Sequence, residues 1–472
     1  MNVVLLVTDT YRYDNLYPVP GLPMAVRAPN LARFAGQAAS MSRFYTGSFP
    51  TIPQRTDLAT GRLGWPWFGW RGLPEPWKDN RLARILREAG YGTQLICDCP
   101  HLFRANFHHA FHGALQLRGQ EGDVYLTRYN YPIERAMPRE KTRVDSWVGD
   151  GPTLADTHRW QHRFWRLERD TFPPRTAETA VEWLEENYKA DRFFLWVDFF
   201  DPHEPWDPPE YMVRRYDPGY TGTPMIHPNY GPSSDYTEAE LRNLRAHYCA
   251  EAELVDRWIG RVLEKIDDLG LWGNSIVIVT TDHGISIGEH ARCGKSNIHR
   301  SDPRHWPMYP EIAHIPFLIA APGIGRGITL DCFAQPVDIL PTVLELAGLR
   351  ADTDRPLHGR SFAAALRGER GGAGRDCAVT GSYMWTSDGS IHPRACTPVL
   401  YTDKWAYVPV GAGGCAELYD LVSDPLGERN LAPGEEALVR ELHSRFLGWL
   451  REHEVPDPVL RSVEAIRAPE LR

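Results

Sequence analysis

Residues 2–12 of the chain have the sequence NVVLLVTDTYR, and the first half of this stretch decides the fold class. The run from Val3 to Val7 is short, apolar and rich in β-branched residues, which is typical of a strand buried on both faces. Asp9 follows the run almost at once. The stretch therefore predicts a first, buried strand that presents a carboxylate at its C-terminal end.

Short apolar runs and helical patterns alternate along the rest of the chain. Strand-like runs include TQLIC, FFLWVDF, SIVIVTT and PFLIA, and a long helical pattern covers residues 238–268. This order predicts an α/β fold with a mostly parallel sheet between helices. Ligands bind beyond the carboxyl ends of the strands in such sheets, so the polar residues after Val7, Phe200 and Thr281 are the first candidates for chemistry.

A Gly/Arg-rich stretch, RGERGGAGR at 367–375, has the composition of a flexible connection. Beyond it, short strand-like runs precede an amphipathic closing helix, EEALVRELHSRFLGWLREH. A chain of 472 residues also exceeds the size at which one core usually stops growing. We therefore predict a catalytic domain at residues 1–370 and a smaller α+β domain at residues 375–472.

Composition excludes some classes of function. The chain has 42% apolar residues and a formal net charge of -9, whereas a general binder of nucleic acid or of membrane surfaces needs a basic face. No run approaches the roughly 20 apolar residues of a membrane helix, and the N-terminal run lacks the pattern of a signal peptide. We expect a cytoplasmic protein whose eight cysteines stay reduced, with Cys97 and Cys99 as packed thiols.

Acidic and imidazole groups follow three of the predicted strands. Carboxylates with a neutral imidazole suit Mn, Zn, Fe or Mg better than Ca. A single aspartate at a strand end is as readily a cap of the local backbone, but several such groups at one sheet edge favour a divalent metal site. The groups are Asp9, Asp201, His203, Asp282 and His283.

The segment TIPQRTDLATGR, residues 51–62, predicts a turn from a strand into a helix, with Thr51 at the N-cap and Pro53 in the first turn. A hydroxyl there lies at the positive end of the helix, where an anion is held and an alkoxide nucleophile is favoured. The segment alone favours the plainer interpretation that Thr51 only caps the helix.

The same segment resembles the signature of the sulfatase family in the alkaline phosphatase superfamily, which is Cys or Ser, any residue, Pro, Ser, Arg, then Leu and Thr-Gly. Further segments look like family blocks in the same order, among them FFDPHEPWDPPEYM, VIVTTDHGISIGEHARCGK and LYDLVSDPLGERNLA. The resemblance covers nearly the whole chain. Here the signature is Thr51, Ile52, Pro53, Gln54, Arg55, then Leu58, Thr60 and Gly61.

The resemblance implies an alkaline-phosphatase-like core and a smaller C-terminal domain with an antiparallel sheet. It also implies a divalent metal site at the strand ends. Carried onto this sequence, the ligands are Asp9, Thr51, Asp282 and His283.

The family also implies a catalytic set in which Thr51 is the nucleophile. Arg55 steadies Thr51, while His203 and Lys295 contact the non-bridging oxygens of the substrate. Lys295 taken alone is most often a solvated lysine, but its position shortly after the metal pair favours a role in holding charge on a developing anion. His101 matches the family's histidine after the second strand and is a candidate for substrate binding.

The threonine departs from the family in a way that changes the chemistry. Sulfatases oxidise the signature Cys or Ser to formylglycine, an aldehyde, but oxidation of the secondary alcohol of Thr51 would give a ketone. An ester formed on Thr51 must then be cleaved by water at the central atom. That step suits phosphorus, as in relatives that use Ser or Thr.

Three further departures from the family pattern also favour a phosphorus ester. Thr10 stands where calcium-dependent sulfatases usually have a second metal-binding Asp, and His283 replaces an Asn, so that Mn or Zn is favoured. Asp98 lies near the place of a catalytic Lys in sulfatases, as a second candidate for substrate binding, and the missing cation favours a singly charged ester. The pattern is most similar to phosphonate monoester hydrolases and phosphodiesterases.

The predicted function is hydrolysis of a phosphodiester or phosphonate monoester through a covalent Thr51 intermediate, with a small anionic ester as the partner. The alternatives are a sulfuric ester hydrolase that uses unmodified Thr51 and a catalytically silent member that binds anions. Homo-oligomers are frequent among relatives and stay open here.

Two features of the sequence leave alternatives open. A second metal would use Asp201 with His290, His299 or His305. The aromatic segment GWPWFGW either packs as a plain loop or stacks on a leaving group. Its aromatic residues are Trp65, Trp67, Phe68 and Trp70.

Overall fold

The computed structural model describes residues 1–66, 69–123, 133–144, 150–296, 302–351, 355–369, 374–382, 396–455 and 460. The strands are β1 (Asn2–Thr8), β2 (Ala39–Phe44), β3 (Ser48–Phe49), β4 (Gly92–Cys97), β5 (Gly113–Gln116), β6 (Phe193–Asp198), β7 (Gly231–Pro232), β8 (Ser275–Thr281), β9 (Ser286–Ile287), β10 (Arg292–Gly294), β11 (Trp306–Pro307), β12 (Phe317–Ala320), β13 (Ile328–Ala334), β14 (Ala378–Ser382), β15 (Cys396–Thr397), β16 (Val399–Tyr401), β17 (Trp405–Val408) and β18 (Glu417–Asp420). The α-helices are α1 (Pro29–Ala35), α2 (Thr51–Thr60), α3 (Pro76–Asp79), α4 (Arg81–Glu88), α5 (Pro100–Arg104), α6 (Leu154–Gln161), α7 (Phe172–Asn187), α8 (Glu210–Tyr216), α9 (Glu238–Asp268), α10 (Pro310–Ala313), α11 (Ile339–Leu346), α12 (Ala363–Leu366) and α13 (Glu436–Glu452).

Eight strands form the central sheet, in the order β13-β2-β12-β8-β1-β6-β4-β5. All are parallel except β12, which runs antiparallel to both of its neighbours. Successive side chains of β1 enter different cores, because Val3, Leu5 and Val7 pack on one face of the sheet and Val4 and Leu6 on the other. The predicted α/β class with a mostly parallel, doubly covered sheet is confirmed.

Residues 104–175 are rich in His, Arg, Trp and Pro and show little periodicity in sequence, yet this region also contains regular structure. The strand β5 extends the sheet at its edge, and α6 begins with a capping box in which Thr153 and Asp156 bind each other's backbone N–H groups. Residues 124–132 and 145–149 of this region lie outside the described part of the chain.

A second, smaller sheet has the order β18-β17-β16-β14-β3. Its strands are antiparallel except for β3, which pairs in parallel with β14 through Ser48 opposite Gly381. The predicted antiparallel sheet is therefore confirmed, but it recruits a strand from just before Thr51. The sequence did not reveal β3, because two residues are too few to show a period. The division at 370–375 stays a prediction, and residues 370–373 lie outside the described part.

Two buried carboxylates hold α2 between the sheets. Asp57 accepts hydrogen bonds from the Ser48 backbone N–H at 2.7 Å and from the Gly64 N–H at 2.6 Å. Asp338, at the start of α11, forms a bidentate ion pair with Arg375 at 2.7 and 2.9 Å. This pair joins α11 to the segment that precedes β14. The N-terminus of α2 is thereby fixed at the carboxyl edge of the central sheet.

None of the described helices is long and apolar enough to cross a membrane. All eight cysteines are free, and Cys97 and Cys99 are buried, as the prediction of packed thiols requires.

Candidate active site

Strand register brings the first two predicted metal ligands together. Thr8 of β1 lies opposite Thr281 of β8, so Asp9 and Asp282 leave neighbouring parallel strands side by side. Both carboxylates are 0% exposed, as is the next residue, His283. One ligand atom from each of the three lies within 4.8 Å of the others, and this is the only such metal-ligating group among the described residues.

Side chains of the candidate metal site stabilise the turn after β1. Thr10 has a φ of 66°, a left-handed conformation that is costly for a β-branched residue. Its backbone N–H donates to Asp282 Oδ1 at 2.9 Å, and its hydroxyl donates to Asp9 Oδ1 at 2.6 Å. These contacts compensate for the strained backbone and orient both carboxylates.

The donor set fits a divalent cation. His283 Nδ1 lies 2.9 Å from the Gly284 carbonyl oxygen, which only accepts, so Nδ1 carries the hydrogen and Nε2 keeps its lone pair. Nε2 is buried and has no hydrogen-bond partner among the described residues. Burial and the nearby Lys295 lower the pKa of His283 to about 3, which keeps the ring neutral. Two buried carboxylates and one imidazole lone pair are a set that transition metals favour.

Thr51 lies beside this cluster at the start of α2. Its side chain is nearly fully buried, and its hydroxyl donates to Asp9 Oδ2 at 3.1 Å. One detail of the prediction is wrong: the helix begins at Thr51 itself and Pro50 occupies the N-cap, since helix ends are uncertain by a residue in sequence patterns. The predicted position of the hydroxyl at the positive end of the helix is nevertheless found.

Arg55, one turn further along α2, binds three carboxylates. Its Nε and Nη2 contact the two oxygens of Asp198 at 3.2 and 2.9 Å. Its Nη1 donates to Asp282 and lies 3.4 Å from Asp9 Oδ2. Burial alone would lower the pKa of Arg55, but Asp198 and Asp282 raise it well above its usual value. The guanidinium therefore joins α2 to the C-terminal ends of β1, β6 and β8.

Asp198 is a site residue that sequence reasoning missed. It ends β6, lies opposite Val7 of β1, and also accepts a hydrogen bond from Trp196 Nε1 at 3.1 Å. The available signal was an acidic residue inside the apolar run FFLWVDFF. The prediction instead selected Asp201, which follows three residues later.

Lys295 and His203 lie near Asp9, and their contact with a substrate stays a prediction. Lys295 Nζ donates to the Thr10 hydroxyl at 3.2 Å and lies 3.8 Å from Asp9 Oδ1. The His203 ring stacks on Phe200, with 4.1 Å between ring centroids. Burial would raise the pKa of Asp9, but Lys295, His203 and Arg55 together lower it well below its usual value.

A second missed residue, Glu204, lies between these two groups. Its Oε2 is 3.5 Å from Lys295 Nζ and 3.6 Å from His203 Nδ1, and the Tyr230 hydroxyl donates to its Oε1. Burial would raise the pKa of Glu204, but His203 and Lys295 lower it below its usual value. Nothing in the sequence distinguished this buried glutamate from a surface one.

The two predicted substrate-binding residues differ in their placement. The His101 ring lies 5.7 Å from that of Phe200 and edges onto Trp70 at 4.9 Å, and burial and His203 lower its pKa to about 3. Asp98 is fully buried, and its oxygens accept from the Phe200 N–H at 2.6 Å and from the Thr176 hydroxyl at 2.9 Å. These contacts make Asp98 a positioning residue for the loop that carries His203. The predicted contact between Asp98 and the substrate stays a prediction.

The described aromatic residues of the segment GWPWFGW differ in burial. Trp65 is fully buried and packs on Trp449 in the core of the second sheet, with ring centroids 5.6 Å apart. Trp70 is half exposed beside His101 and is the member placed to meet a ligand. Trp67 and Phe68 lie outside the described residues.

The candidates for a second metal do not join the cluster in the described part of the chain. Asp201 Oδ2 accepts from Gln120 Nε2 at 3.1 Å. His290 uses Nδ1 toward Glu311 at 3.0 Å and Nε2 toward the Gly427 carbonyl at 2.8 Å. His305 belongs to no metal-ligating group among the described residues, and His299 lies outside them.

Comparison with known proteins agrees with this geometry. A family described as Sulfatase matches residues 1–349. Arylsulfatase K of Canis lupus familiaris is 25% identical over 482 residues, covering 91% of this chain and 79% of that protein. The multifunctional alkaline phosphatase superfamily protein PehA of Trinickia caryophylli is 23% identical over 514 residues, covering 96% and 95% of the two chains.

Among solved structures, the phosphonate monoester hydrolase of Agrobacterium radiobacter superposes with a TM-score of 0.72 at 21% identity and covers 96% of each chain, which shows a shared fold. Members of this superfamily bind a divalent metal ion, and the Asp9, Asp282 and His283 group is the candidate for it here. The chain belongs to the sulfatase family of the alkaline phosphatase superfamily and is a hydrolase that acts on ester bonds.

Proposed function

We propose that this hydrolase cleaves a phosphodiester or phosphonate monoester through a covalent intermediate on Thr51. One observation carries the proposal: the Thr51 hydroxyl occupies the signature position, at the start of α2 and 3.1 Å from Asp9 Oδ2. A threonine cannot become the aldehyde on which sulfate release depends. Its intermediate must be resolved by water at the central atom, a route that phosphorus esters allow.

The residues around Thr51 support binding of a metal and an anion together. A divalent cation held by Asp9, Asp282, His283 and Thr51 would lower the pKa of the Thr51 hydroxyl and offset charge on the ester. We favour Mn or Zn, because the set includes an imidazole nitrogen.

The cation of Lys295 is partly neutralised before a substrate arrives. Glu204 Oε2 lies 3.5 Å and Asp9 Oδ1 lies 3.8 Å from its Nζ. The site therefore offers less net positive charge than a free lysine would, and suits a singly charged diester better than a dianionic monoester.

The proposed reaction has two displacements at phosphorus. Thr51 Oγ loses its proton and forms a bond to phosphorus, while the bond between phosphorus and the oxygen of the leaving alcohol breaks. The leaving oxygen keeps the electron pair of that bond and gains a proton. Water then attacks phosphorus, the bond to Thr51 breaks, and the threonine hydroxyl regains its proton. In this mechanism Lys295, 3.8 Å from Asp9 Oδ1, and His203 hold the negative charge that develops on the non-bridging oxygens in both steps.

A second candidate function is hydrolysis of sulfuric esters by unmodified Thr51. The names of curated relatives favour it, including Arylsulfatase K of Canis lupus familiaris and an arylsulfatase of Clostridium perfringens. This route needs water to cleave a sulfated threonine at sulfur. A catalytically silent, anion-binding member is the third interpretation. We also propose a cytoplasmic location and a small anionic ester as substrate, and the oligomeric state stays open.

Peptide mass spectrometry of metal-loaded protein separates these functions. The protein is incubated briefly and separately with an aryl phosphodiester and an aryl sulfate, and Thr51→Ala serves as the control. A phosphoryl adduct on the Thr51 peptide, absent in the variant, would establish the proposed route. A sulfuryl adduct from the aryl sulfate would replace it with sulfatase chemistry, and absence of both adducts and of both products would favour the silent member.

A further inference from the structure

Glu204 places a negative charge behind the two groups that are predicted to hold the ester's non-bridging oxygens. Its side chain is fully buried. Its Oε2 accepts no hydrogen bond from the described residues, and it lies 3.5 Å from Lys295 Nζ and 3.6 Å from His203 Nδ1. A charge in this position changes the electrostatic potential that a substrate meets at Lys295 and His203.

The carboxylate is fixed through its other oxygen. The Tyr230 hydroxyl donates to Glu204 Oε1, and Arg143 Nη1 lies 3.7 Å from the same oxygen. Arg143 also lies over the Tyr230 ring, at 4.9 Å from the centroid, and its Nη2 donates to Glu121 Oε1. These contacts hold Oε2 on the side of Lys295 and His203.

Glu204 is ionised in this environment. Burial would raise its pKa, but His203 and Lys295, followed by His227 and Arg143, lower it below its usual value. The His227 ring is neutral, because burial and Arg143 lower its pKa to about 3, and its Nδ1 donates to the Pro228 carbonyl at 2.8 Å. The negative charge of Glu204 is therefore a permanent part of the site at neutral pH.

Glu204 differs from the other carboxylates of the site in what it can do. Asp9 and Asp282 are candidate metal ligands, whereas Glu204 belongs to no metal-ligating group among the described residues. A phosphodiester has one negative charge, and a phosphate monoester has about 1.5 to 2 at pH 7. Repulsion by a buried carboxylate grows with each further charge on the ligand, even at an effective dielectric constant of about 20.

We propose that Glu204 makes the site select esters with one negative charge over esters with two. This inference rests on the proposed function, because it assigns the charge selectivity of the same site. Glu204 acts through Lys295 and His203, without touching the substrate, by offsetting positive charge behind the bound oxygens. Without that charge, Lys295 attracts a dianionic monoester more strongly than it attracts a monoanionic diester.

The test compares bis(p-nitrophenyl) phosphate with p-nitrophenyl phosphate on metal-loaded protein at pH 8. Glu204→Gln keeps the length of the side chain and an oxygen that accepts from Tyr230, but it removes the charge. The ratio of kcat/KM for the monoester to that for the diester is expected to rise at least about tenfold, mainly through a lower KM for the monoester. Glu204→Asp restores the charge and should return this ratio to within about threefold of wild type.

Glu253→Gln is the matched control. Glu253 also accepts a tyrosine hydroxyl, that of Tyr216 at 2.8 Å, and pairs with an arginine, Arg215, and its side chain is 8% exposed. Among the described residues it has no hydrogen bond or ion pair with Lys295 or His203. The control should change the ratio less than about twofold, because the charge that it removes lies outside the site.

Two outcomes would overturn the proposal. Equal losses of kcat/KM for the two esters in Glu204→Gln would indicate a merely structural role, which changes no ratio. An equal rise of the ratio in Glu253→Gln would indicate a general effect of the protein's charge.

A third substrate separates this proposal from the proposed function. An aryl sulfate also has a single charge, so if wild type hydrolyses it and not the diester, the proposed function fails, while the ratio of monoester to sulfate should still rise in Glu204→Gln. If no ester is turned over, calorimetric Kd values give the same ratio, and absence of binding of all three esters would overturn the proposal. Hydrolysis of the diester with an unchanged ratio would remove only the role of Glu204.

Wild type supplies the test if Glu204→Gln fails to fold. The second ionisation of a phosphate monoester has a pKa of about 6, whereas the charge of the diester stays constant, and titration of the protein affects both esters. As the pH rises from 5 to 8, the ratio of kcat/KM for monoester to diester is expected to fall at least about threefold. A level or rising ratio would show that the site does not select a single charge.

Discussion

The two ends of helix α2 carry opposite imbalances of charge. At its N-terminal end, Asp9, Asp198 and Asp282 surround a single guanidinium, that of Arg55. Along its C-terminal half, six cationic side chains share a cavity with two carboxylates. Lys295 lies 3.8 Å from Asp9 Oδ1 at the first end, and at the other end Arg84 and Arg355 pair with Glu88 and Asp79 at 2.9 and 3.0 Å. The protein itself therefore offsets part of the charge at both ends of the helix.

The two ends also differ in burial, which sets the size of the effects expected from substitution. The carboxylates and Arg55 are 0% exposed, where electrostatic interactions are strong and an unpaired charge is costly. Of the cavity cations, the side chains of Lys78 and Arg355 are 59% and 54% exposed, and salt screens interactions at such positions. Changes at the N-terminal end should therefore alter both stability and activity, while changes at these exposed cations should alter stability little.

Thr51→Ala is expected to have the largest effect. Removal of the nucleophile should lower kcat at least about 1,000-fold with little change in Tm, because the side chain is small and the groups around it remain paired. Thr56→Ala is the matched control: its hydroxyl lies on the cavity side of α2 and donates to the Ile52 carbonyl at 2.8 Å. Steady-state assays should show that the control keeps kcat within about threefold. Turnover that survives Thr51→Ala would remove Thr51 from the reaction.

Arg55→Met should cause the largest loss of stability in metal-free protein. Three buried carboxylates would lose their common partner, at a cost of about 3–5 kcal/mol in free energy of unfolding. Added divalent metal should recover part of that loss, because a cation replaces the missing charge. Urea unfolding with and without chelator measures both quantities.

Arg375→Met is the control for this prediction. Arg375 forms a nearly fully buried bidentate pair with Asp338, which belongs to no metal-ligating group among the described residues. We expect its loss of stability to be unaffected by metal. Equal recovery in both variants would show that the metal acts elsewhere.

His283→Ala should weaken divalent metal binding at least about tenfold, because the ring supplies the imidazole nitrogen of the proposed set. The control is His290→Ala, whose ring nitrogens are engaged by Glu311 and the Gly427 carbonyl outside the cluster. Competition with a chromophoric chelator gives both affinities. A stronger effect of His290→Ala would move the metal away from Asp9 and Asp282.

Much of the N-terminal end of α2 could be predicted from the sequence, and the reason is geometric. Parallel strands of one sheet end at the same edge, so the sequence alone predicts that Asp9 and the Asp282–His283 pair lie close together. The family signature added Thr51 and Arg55. Asp198 and Glu204 were missed because they bind other side chains, and a pairing between Arg55 and a residue 143 positions away leaves no local pattern.

The C-terminal half of α2 shows the opposite case. Its cations come from the segment before α3, from α3 and α4, and from the loop near His358, and no single spacing along the chain links them. The same limit applies to β3, which pairs with a strand more than 300 residues later. The net charge of -9 averages over the whole surface, so it argues only against a general binder of nucleic acid or membrane surfaces. Local charge appears only when the fold assembles it.

The smallest expected effect concerns Asp98, which supports the His203 loop from behind. Burial, together with Asp198, raises its pKa to about 7, from an ordinary value of 3.8. The folded state then binds more protons than the unfolded state between about pH 4 and pH 7. This contribution to stability is fully present below pH 4 and is lost as the pH rises through 7. Asp98→Asn keeps acceptor and donor groups for Phe200 and Thr176 but cannot titrate.

Asp98→Asn should therefore gain stability relative to wild type as the pH rises from 4 to 7, by at most about 1.4 kcal/mol per pH unit. Asp170→Asn should change in the opposite direction, because hydrogen bonds from the Arg166 and Leu167 N–H groups lower the pKa of Asp170. Urea unfolding at several pH values measures both slopes. KM for an aryl phosphodiester then decides the role of Asp98: an unchanged value supports a positioning residue, whereas a raised value would restore the predicted contact with substrate and place a carboxylate inside the anion site.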